Sequence, residues 1–390
     1  MKAFIAAAVS AAILATTSAL DVKLSGLNYN PRKGADWDPV DKKCKSATEV
    51  AADMKILAGI TSNIRLYSMT DCNQVELVLP AAKAAGLNVW VGLWVDNNTA
   101  TVQAEKDAFT ALVKKGVIDS TITGIHVGSE AIYRKEVTAD EAIQHFKDVK
   151  AVATAAGLKV PMTIADIGDI YVANPQLAAA VDIISANAFP FWEAKPVEDC
   201  ITYFYSRMLP LIQQAKTNNK AIMISETGWA TNGKAAGASV ASPENAAIWF
   251  IDFHVLATQL KWNYYYYTSF DTTWRTNPGA NSTDSDVENF FGLYDTQGVL
   301  KPAYANLKVK QRVNVLGSAN ASSSSSSGTN SSATTKSPSS SSSTPSSGSS
   351  SGNSSSTTPN ATATKSPSSS STAMGVAILS VIASVVMTVL

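Results

Sequence analysis

Gly124-Ile125-His126-Val127-Gly128-Ser129-Glu130 is a compact, mostly apolar run closed by a carboxylate, and Ala221-Ile222-Met223-Ile224-Ser225-Glu226 repeats that design further along. A continuous apolar run of this length reads as a strand covered on both faces, the habit of parallel sheets. The strands within them read as Gly124 to Gly128 and Ala221 to Ser225, and outward from these two, six more runs follow the same pattern: Lys23 to Tyr29, Asn63 to Ser68, Asn88 to Val95, Pro161 to Ala165, Asp182 to Ala188 and Tyr264 to Phe270. Segments with helical spacing stand between them, among them Ala47 to Gly59, Gln74 to Gly86, Thr101 to Gly116 and Ala139 to Gly157. A glycine just past the last turn can take the left-handed conformation that ends a helix, so the boundaries are marked. Eight strand-helix units over residues 20–316 predict an α/β fold, a (β/α)8 TIM barrel forming a single catalytic domain, with a doubly wound open sheet as the alternative.

A barrel of this kind does its chemistry at the carboxyl ends of its strands, which turns position into a filter. Glu130 closes the fourth run and Glu226 the seventh. A lone carboxylate there is as often a helix cap or an ion-pair partner. Two, on opposing arcs of one mouth, can converge across a cleft. Glycosidic cleavage needs such a pair: one carboxyl protonates the leaving oxygen, while the other meets the developing oxocarbenium ion, about 5 to 5.5 Å away if configuration is retained.

Composition narrows the substrate. Lys plus Arg and Asp plus Glu balance at 31 each, so no basic footprint for nucleic acid exists and a neutral substrate is expected. Eight Trp and twelve Tyr supply flat faces that can stack on sugar rings, although most such residues are core. The loops after the seventh and eighth runs carry Trp229 and Trp274 rather than a Gly-rich phosphate cradle. His126, His145 and His254 have no ligand-like spacing, so no metal and no cofactor are expected, and His126 reads as a core or cleft hydrogen bonder. Of three cysteines, Cys44 and Cys72 could join two loops, contributing roughly 3 kcal/mol, leaving Cys200 free and buried.

The ends of the chain read as addresses. Lys2, the apolar run Ala3 to Ala15 and Thr17-Ser18-Ala19 make residues 1–19 a signal peptide, with no polar face for a buried first helix. Residues 317–360 are a Ser/Thr-rich segment that cannot offset about 1 to 2 kcal/mol per residue of ordering entropy, and reads as a disordered, O-glycosylated stalk. Asn360-Ala361-Thr362, a polar spacer and the apolar run Gly375 to Leu390 fit a GPI signal, with Asn360 the attachment site and 361–390 removed. Ser366 is a second attachment candidate and a tail-anchored helix the alternative to cleavage, for which the run is short. Sequons at Asn97, Asn281, Asn320, Asn330, Asn353 and Asn360 suit the secretory pathway. The expected locations are the cell wall and the outer face of the plasma membrane, through a GPI lipid.

Val127-Gly128-Ser129-Glu130-Ala131-Ile132-Tyr133-Arg134 and Ser225-Glu226-Thr227-Gly228-Trp229 resemble the two catalytic motifs of glycoside hydrolase family 17. Arg65-Leu66-Tyr67, Thr70-Asp71-Cys72-Asn73, Ala186-Asn187-Ala188-Phe189-Pro190-Phe191-Trp192, Phe270-Asp271 with Trp274, and Phe291-Gly292-Leu293-Tyr294-Asp295 resemble its fungal cell-wall members, among them GPI-anchored endo-1,3-β-glucosidases. The resemblance implies a monomeric retaining enzyme on β-1,3-glucan, Glu130 as acid/base, Glu226 as nucleophile and Arg65 orienting that nucleophile. It extends to a cleft of Tyr29, Tyr67, Ser129, Asn187, Phe189, Trp192, Trp229, Phe270, Asp271 and Trp274. Two departures stand out. Many relatives carry Asn before the acid/base, where Ser129 is too short to reach the sugar 2-hydroxyl except through water, and many carry acidic residues where Thr268 and Thr272 stand. The alternatives to hydrolysis are a transglycosylase, in which a second glucan attacks the intermediate, and a wall protein that binds glucan without turnover.

Overall fold

The computed structural model of the 390-residue chain describes residues 20–272, 274, 287–305 and 307–317. Eight parallel strands close into a barrel in sequence order: β1 Leu27–Asn28, β2 Asn63–Arg65, β3 Asn88–Leu93, β4 Gly124–Ser129, β5 Met162–Ile167, β6 Ile184–Asn187, β7 Ile222–Thr227 and β8 Asn263–Tyr266. β1 pairs with both β2 and β8, so closure leaves no edge strand. The open-sheet alternative is thereby excluded.

Local chemistry sets the helices that separate the strands. Ser46 and Thr138 begin Ala47–Leu57 and Ala139–Ala155 with reciprocal side-chain and backbone hydrogen bonds to the glutamates three residues on. Gly86, Gly116 and Gly157 follow their helices with φ of 75°, 70° and 74°, the left-handed geometry that costs a glycine least. Gly59 is different, because Ala47–Leu57 ends at Ala58 in ordinary helical geometry. Val197–Asn218 and Pro243–Leu260 are the two longest helices of the outer layer. Their buried faces include Phe204, Trp249 and Phe253, which meet in edge and stacked contacts at 5.6 to 5.8 Å.

The strand boundaries differ from the sequence reading at the end that matters. Ser129 and Glu226 lie inside β4 and β7 instead of after them. β8 stops at Tyr266, and Phe270 joins only an isolated bridge to Tyr294. The register shifts between His126 and Ser129, between Ala186 and Asn187, and between Ile224 and Thr227. Such irregularities re-aim side chains at a barrel rim, and they fall where Ser129, Asn187 and Glu226 emerge.

Cys44 and Cys72 are disulfide-bonded, with Cα atoms 5.4 Å apart, and Cys200 is buried and free. Asn97 is exposed in the loop after β3. The expected signal segment, the expected stalk from residue 318 on, the expected attachment site Asn360 with its propeptide, and the sequons at Asn281, Asn320, Asn330 and Asn353 lie outside the described residues.

Candidate active site

Glu226 is the better held of the two carboxyls. Arg65, fully buried in β2, sets Nη1 2.8 Å from Glu226 Oε1 and 2.8 Å from Asn28 Oδ1, and donates through Nη2 to Ser129 Oγ at 3.1 Å. Ser129 Oγ in turn donates to the same Glu226 oxygen at 3.2 Å. The guanidinium lies 4.6 Å from the centre of the Tyr67 ring, so an aromatic face backs the cation. Asn28 is fixed through its amide, which donates to the Ser225 and Tyr265 carbonyls at 2.9 and 3.0 Å. The four groups form a closed network that leaves Glu226 little rotational freedom. Such hydrogen bonds offset part of the desolvation of a buried ion pair, although Arg65 Nε finds no partner among the described residues.

Glu130 is held differently. It is half-buried one residue beyond β4, in left-handed backbone with φ 57°, and its N–H donates to Ala165 O in β5 at 2.9 Å. Asn187 Nδ2 donates to Glu130 Oε1 at 2.8 Å, while Asn187 Oδ1 accepts from Ser225 Oγ at 2.6 Å. Asn187 and Ser225 thus link the ends of β6 and β7 to the acid. The Arg134 guanidinium closes the same turn by donating to Ser129 O at 2.7 Å, and lies 4.6 Å from the centre of a Trp94 ring.

Electrostatics separate the two carboxyls. Burial, and then the charge of Glu226, push Glu130 up to about 6, against the smaller opposing effects of the Asn187 hydrogen bond and the Arg134 and Arg65 cations. Arg65 pairs with Glu226 instead, so Glu130 keeps its proton in mildly acidic water. A third carboxyl, Asp166 in β5, is pushed up to about 7 by burial and by the Glu130 charge. Burial and the Arg65 cation drive His126 well below its ordinary value, which keeps the ring neutral. Gly92 makes room for that ring, since a Cβ there would stand 2.6 Å from His126 Nε2.

The structure gathers Glu130, Glu226, Arg65, Tyr67, Ser129 and Asn187 at the mouth, together with Phe189, whose neighbour Ala188 donates its N–H to Glu226 O at 2.9 Å. Phe189, Trp192 and Tyr267 are half-buried and packed around Phe291 at 5.6 to 6.1 Å, an aromatic wall over the ends of β6 to β8. Four of the other expected cleft residues have structural partners instead. Tyr29 is wholly buried and donates its hydroxyl to Asp53 Oδ2 at 2.7 Å. Trp229 is wholly buried against Phe191 and Trp249, with its Nε1 on Val240 O at 3.0 Å. Phe270 packs on Tyr29 and Tyr294 beneath Lys45 Nζ, 4.6 Å from its ring centre. Asp271 pairs with Lys301 at 2.5 Å and accepts from Gly292 N at 2.9 Å.

Trp274 is half-buried, with the Arg32 guanidinium 5.6 Å from its ring centre. Thr268 and Thr272, candidates for a changed subsite, direct their hydroxyls to the carbonyls of Asn28 and Glu288. His126 meets Tyr67 edge-on at 6.4 Å, and neither ring nitrogen finds a partner among the described residues, so it is no hydrogen bonder here. The Ser129 hydroxyl accepts from Arg65 and donates to Glu226.

Asn28, Asp166, Arg134 and Tyr267 complete the site without having been singled out as site residues in the sequence. Asp166 had a signal, because it is an ionisable residue at the end of the fifth apolar run. Asn28 and Tyr267 carry no charge for that filter to catch.

A closed eight-stranded barrel with two unequal carboxyls at its mouth, one paired to a buried arginine, defines a glycosidase of the two-carboxylate kind. The BtgE/BtgC glycoside hydrolase domain matches residues 26–292, and the chain belongs to that family, within glycoside hydrolase family 17. Among curated relatives, a Saccharomyces cerevisiae glucan 1,3-β-glucosidase is 29% identical over 67% of this chain and 86% of its own. The glucan endo-1,3-β-glucosidase btgC of Emericella nidulans is 28% identical over 71% of this chain but only 45% of its own, so it is the longer protein. The solved β-1,3-glucanosyltransferase of Rhizomucor miehei superposes with a TM-score of 0.63 at 25% identity, covering 74% of this chain and 98% of that one.

Proposed function

We propose that the chain cleaves β-1,3-glucan internally by double displacement with retention of configuration. The observation that carries this is the unequal setting of the two carboxyls. Arg65 and Ser129 both donate to one oxygen of Glu226, while Glu130, whose carboxyl accepts from the neutral amide of Asn187, is pushed up to about 6. In the first step a Glu226 oxygen bonds the anomeric carbon as the glycosidic C–O bond breaks, and its electron pair takes the Glu130 proton. In the second, water attacks the anomeric carbon, gives its proton to Glu130 and releases Glu226 as a carboxylate. The names of the matched fungal relatives and of the Rhizomucor enzyme support the substrate.

Laminarin digestion followed by NMR of the newborn anomeric centre tests the proposal. Expected are β-configured oligosaccharides that mutarotate later, and loss of activity in both Glu130→Ala and Glu226→Ala. An α-configured first product, or full activity in either variant, would sink it.

The aromatic wall of Phe189, Trp192 and Tyr267 favours a second reading, transfer of the glycosyl unit to another glucan, since flat faces can hold an acceptor sugar against water. Products longer than the donor would identify it. We place the enzyme outside the cell, acting as a monomer in wall remodelling and held by a GPI lipid, on the strength of the N-terminal apolar run and the Ser/Thr-rich, apolar-ended tail. Release from membranes by phosphatidylinositol-specific phospholipase is the expected behaviour; retention after that treatment counts against the lipid.

A further inference from the structure

The Glu130 segment is an awkward piece of backbone. Its first residue is a non-glycine in left-handed geometry, and the loop that follows closes on itself through Arg134 N to Glu130 O at 2.9 Å and Glu136 N to Ala131 O at 3.0 Å. Left-handed geometry at a residue with a Cβ costs of order 1 kcal/mol or more, and persists where surroundings enforce it. The enforcement comes from two adjacent residues of β5. Ala165 O accepts from Glu130 N at 2.9 Å. Asp166, fully buried, accepts from Ile132 N and Tyr133 N through Oδ2 at 3.1 and 3.4 Å, and from Ile167 N through Oδ1 at 2.8 Å. A single carboxyl therefore gathers two N–H groups of the acid's own loop and one of the strand beneath it. No contact between Asp166 and the nucleophile network of Arg65, Asn28, Ser129 and Glu226 accompanies these bonds in the described residues.

We infer that Asp166 is a positioning residue for the proton donor: it locks the loop after β4 onto β5 so that the Glu130 carboxyl stands where the leaving oxygen will be. The inference rests on the reading of Glu130 as the acid. Misplacing a catalytic group by about 1 Å can cost about a hundredfold in rate. The cost falls only on steps that use that group.

The test exploits this selectivity. Asp166→Asn keeps the shape but sets an NH2 against backbone donors or gives up one acceptor oxygen, and Asp166→Ser removes the carboxyl and shortens the side chain. Each is assayed for kcat/KM, which reports the glycosylation step, on laminarin and on a dinitrophenyl β-laminaribioside, whose leaving group departs without a proton. Thermal unfolding confirms that the variant examined is folded. Expected is a drop of about 10- to 100-fold on laminarin, with the activated substrate within about threefold of wild type. Equal losses on both substrates in a folded variant, or no loss on laminarin, overturn the inference. Glu130→Ala is the control that separates the two levels. If it shows the leaving-group selectivity and the Asp166 variants do not, only the role of Asp166 falls. If it lacks the selectivity, the assignment of the acid falls as well.

Discussion

Replacing Glu130 by Gln should make the protein more stable while disabling it, and the structure gives a size and a pH window for the effect. Glu130 is raised from 4.5 to about 6 by burial and the charge of Glu226. The folded state therefore keeps a proton that the unfolded chain releases first. Stability falls as pH rises from about 4.5 through about 6, and the penalty is complete above that. At 1.36 kcal/mol per unit, the displacement of about 1.5 units amounts to roughly 2 kcal/mol at neutral pH. Glutamine is isosteric, can still accept from Asn187 Nδ2 and carries no charge, so Glu130→Gln removes the penalty without cutting the contact. Relief of Asp166, whose upward shift owes part of its size to the Glu130 charge, acts in the same direction. For a domain of this size the gain is about 4 °C in Tm at pH 7.5 and close to nothing at pH 4. The assay is thermal unfolding of wild type and variant across that range, with laminarin turnover measured beside it and expected to drop about 100- to 10,000-fold. A pH-independent difference, or a variant less stable than wild type at pH 7.5, would refute the electrostatic account of the acid.

Four more outcomes follow from the same geometry. The alkaline limb of kcat/KM should fall near pH 6, and Asn187→Ala should move it upward by about half a unit, because the lost hydrogen bond favoured the ionised form of Glu130; a downward move contradicts the bond. Arg65→Met should destabilise by about 3 to 5 kcal/mol, since it leaves the Glu226 charge without its buried partner, and should abolish turnover; denaturant unfolding and a laminarin assay check both. Cys44→Ser with Cys72→Ser, which opens a loop with sequence separation 28, should cost about 3.5 kcal/mol in denaturant unfolding with kcat little changed. Trp229→Leu should lower Tm and leave KM for laminarin near wild type, whereas Trp192→Ala should raise KM several-fold at nearly constant Tm; the reverse pattern would exchange the roles given to these two rings.

All eight strands and the two carboxyls were legible because burial on both faces writes parallel strands as continuous apolar runs, and because a barrel puts chemistry at their ends. Illegible were the carboxyl ends of those strands. Register shifts at the rim carried Ser129 and Glu226 into β4 and β7, and a two-residue periodicity cannot anticipate a bulge. Aromatics misled for a related reason. Trp229 follows its motif glutamate closely, yet the chain turns there and sends the ring into the helical layer, while Tyr267, one residue past β8, was taken as strand and faces the cleft wall. Ser129 shows a third limit. Its neighbour in sequence is the acid, but its hydroxyl belongs to the nucleophile.

Besides burial and the Glu226 charge, the placing of one cation separates the two carboxyls. Arg65 has no exposed surface and lies on β2, two strands from β4; among the described residues its Nη donors go to Asn28, Ser129 and Glu226, and none goes to Glu130. Glu130 receives instead a neutral amide from Asn187 and the field of Arg134, whose guanidinium is occupied by the Ser129 carbonyl and by Glu136 at 2.8 Å. Were Arg65 to bridge both glutamates, each would be held as a carboxylate and neither could donate a proton. Asn28 shares Nη1 with Glu226, Ser129 takes Nη2 and Tyr67 covers the ring-facing side, which together fix the guanidinium. Burial and the Glu226 charge raise Glu130, and the pairing of Arg65 with Glu226 leaves that rise in place, so the residues that fix the guanidinium bear on the proton of Glu130 without a hydrogen bond to it among the described residues.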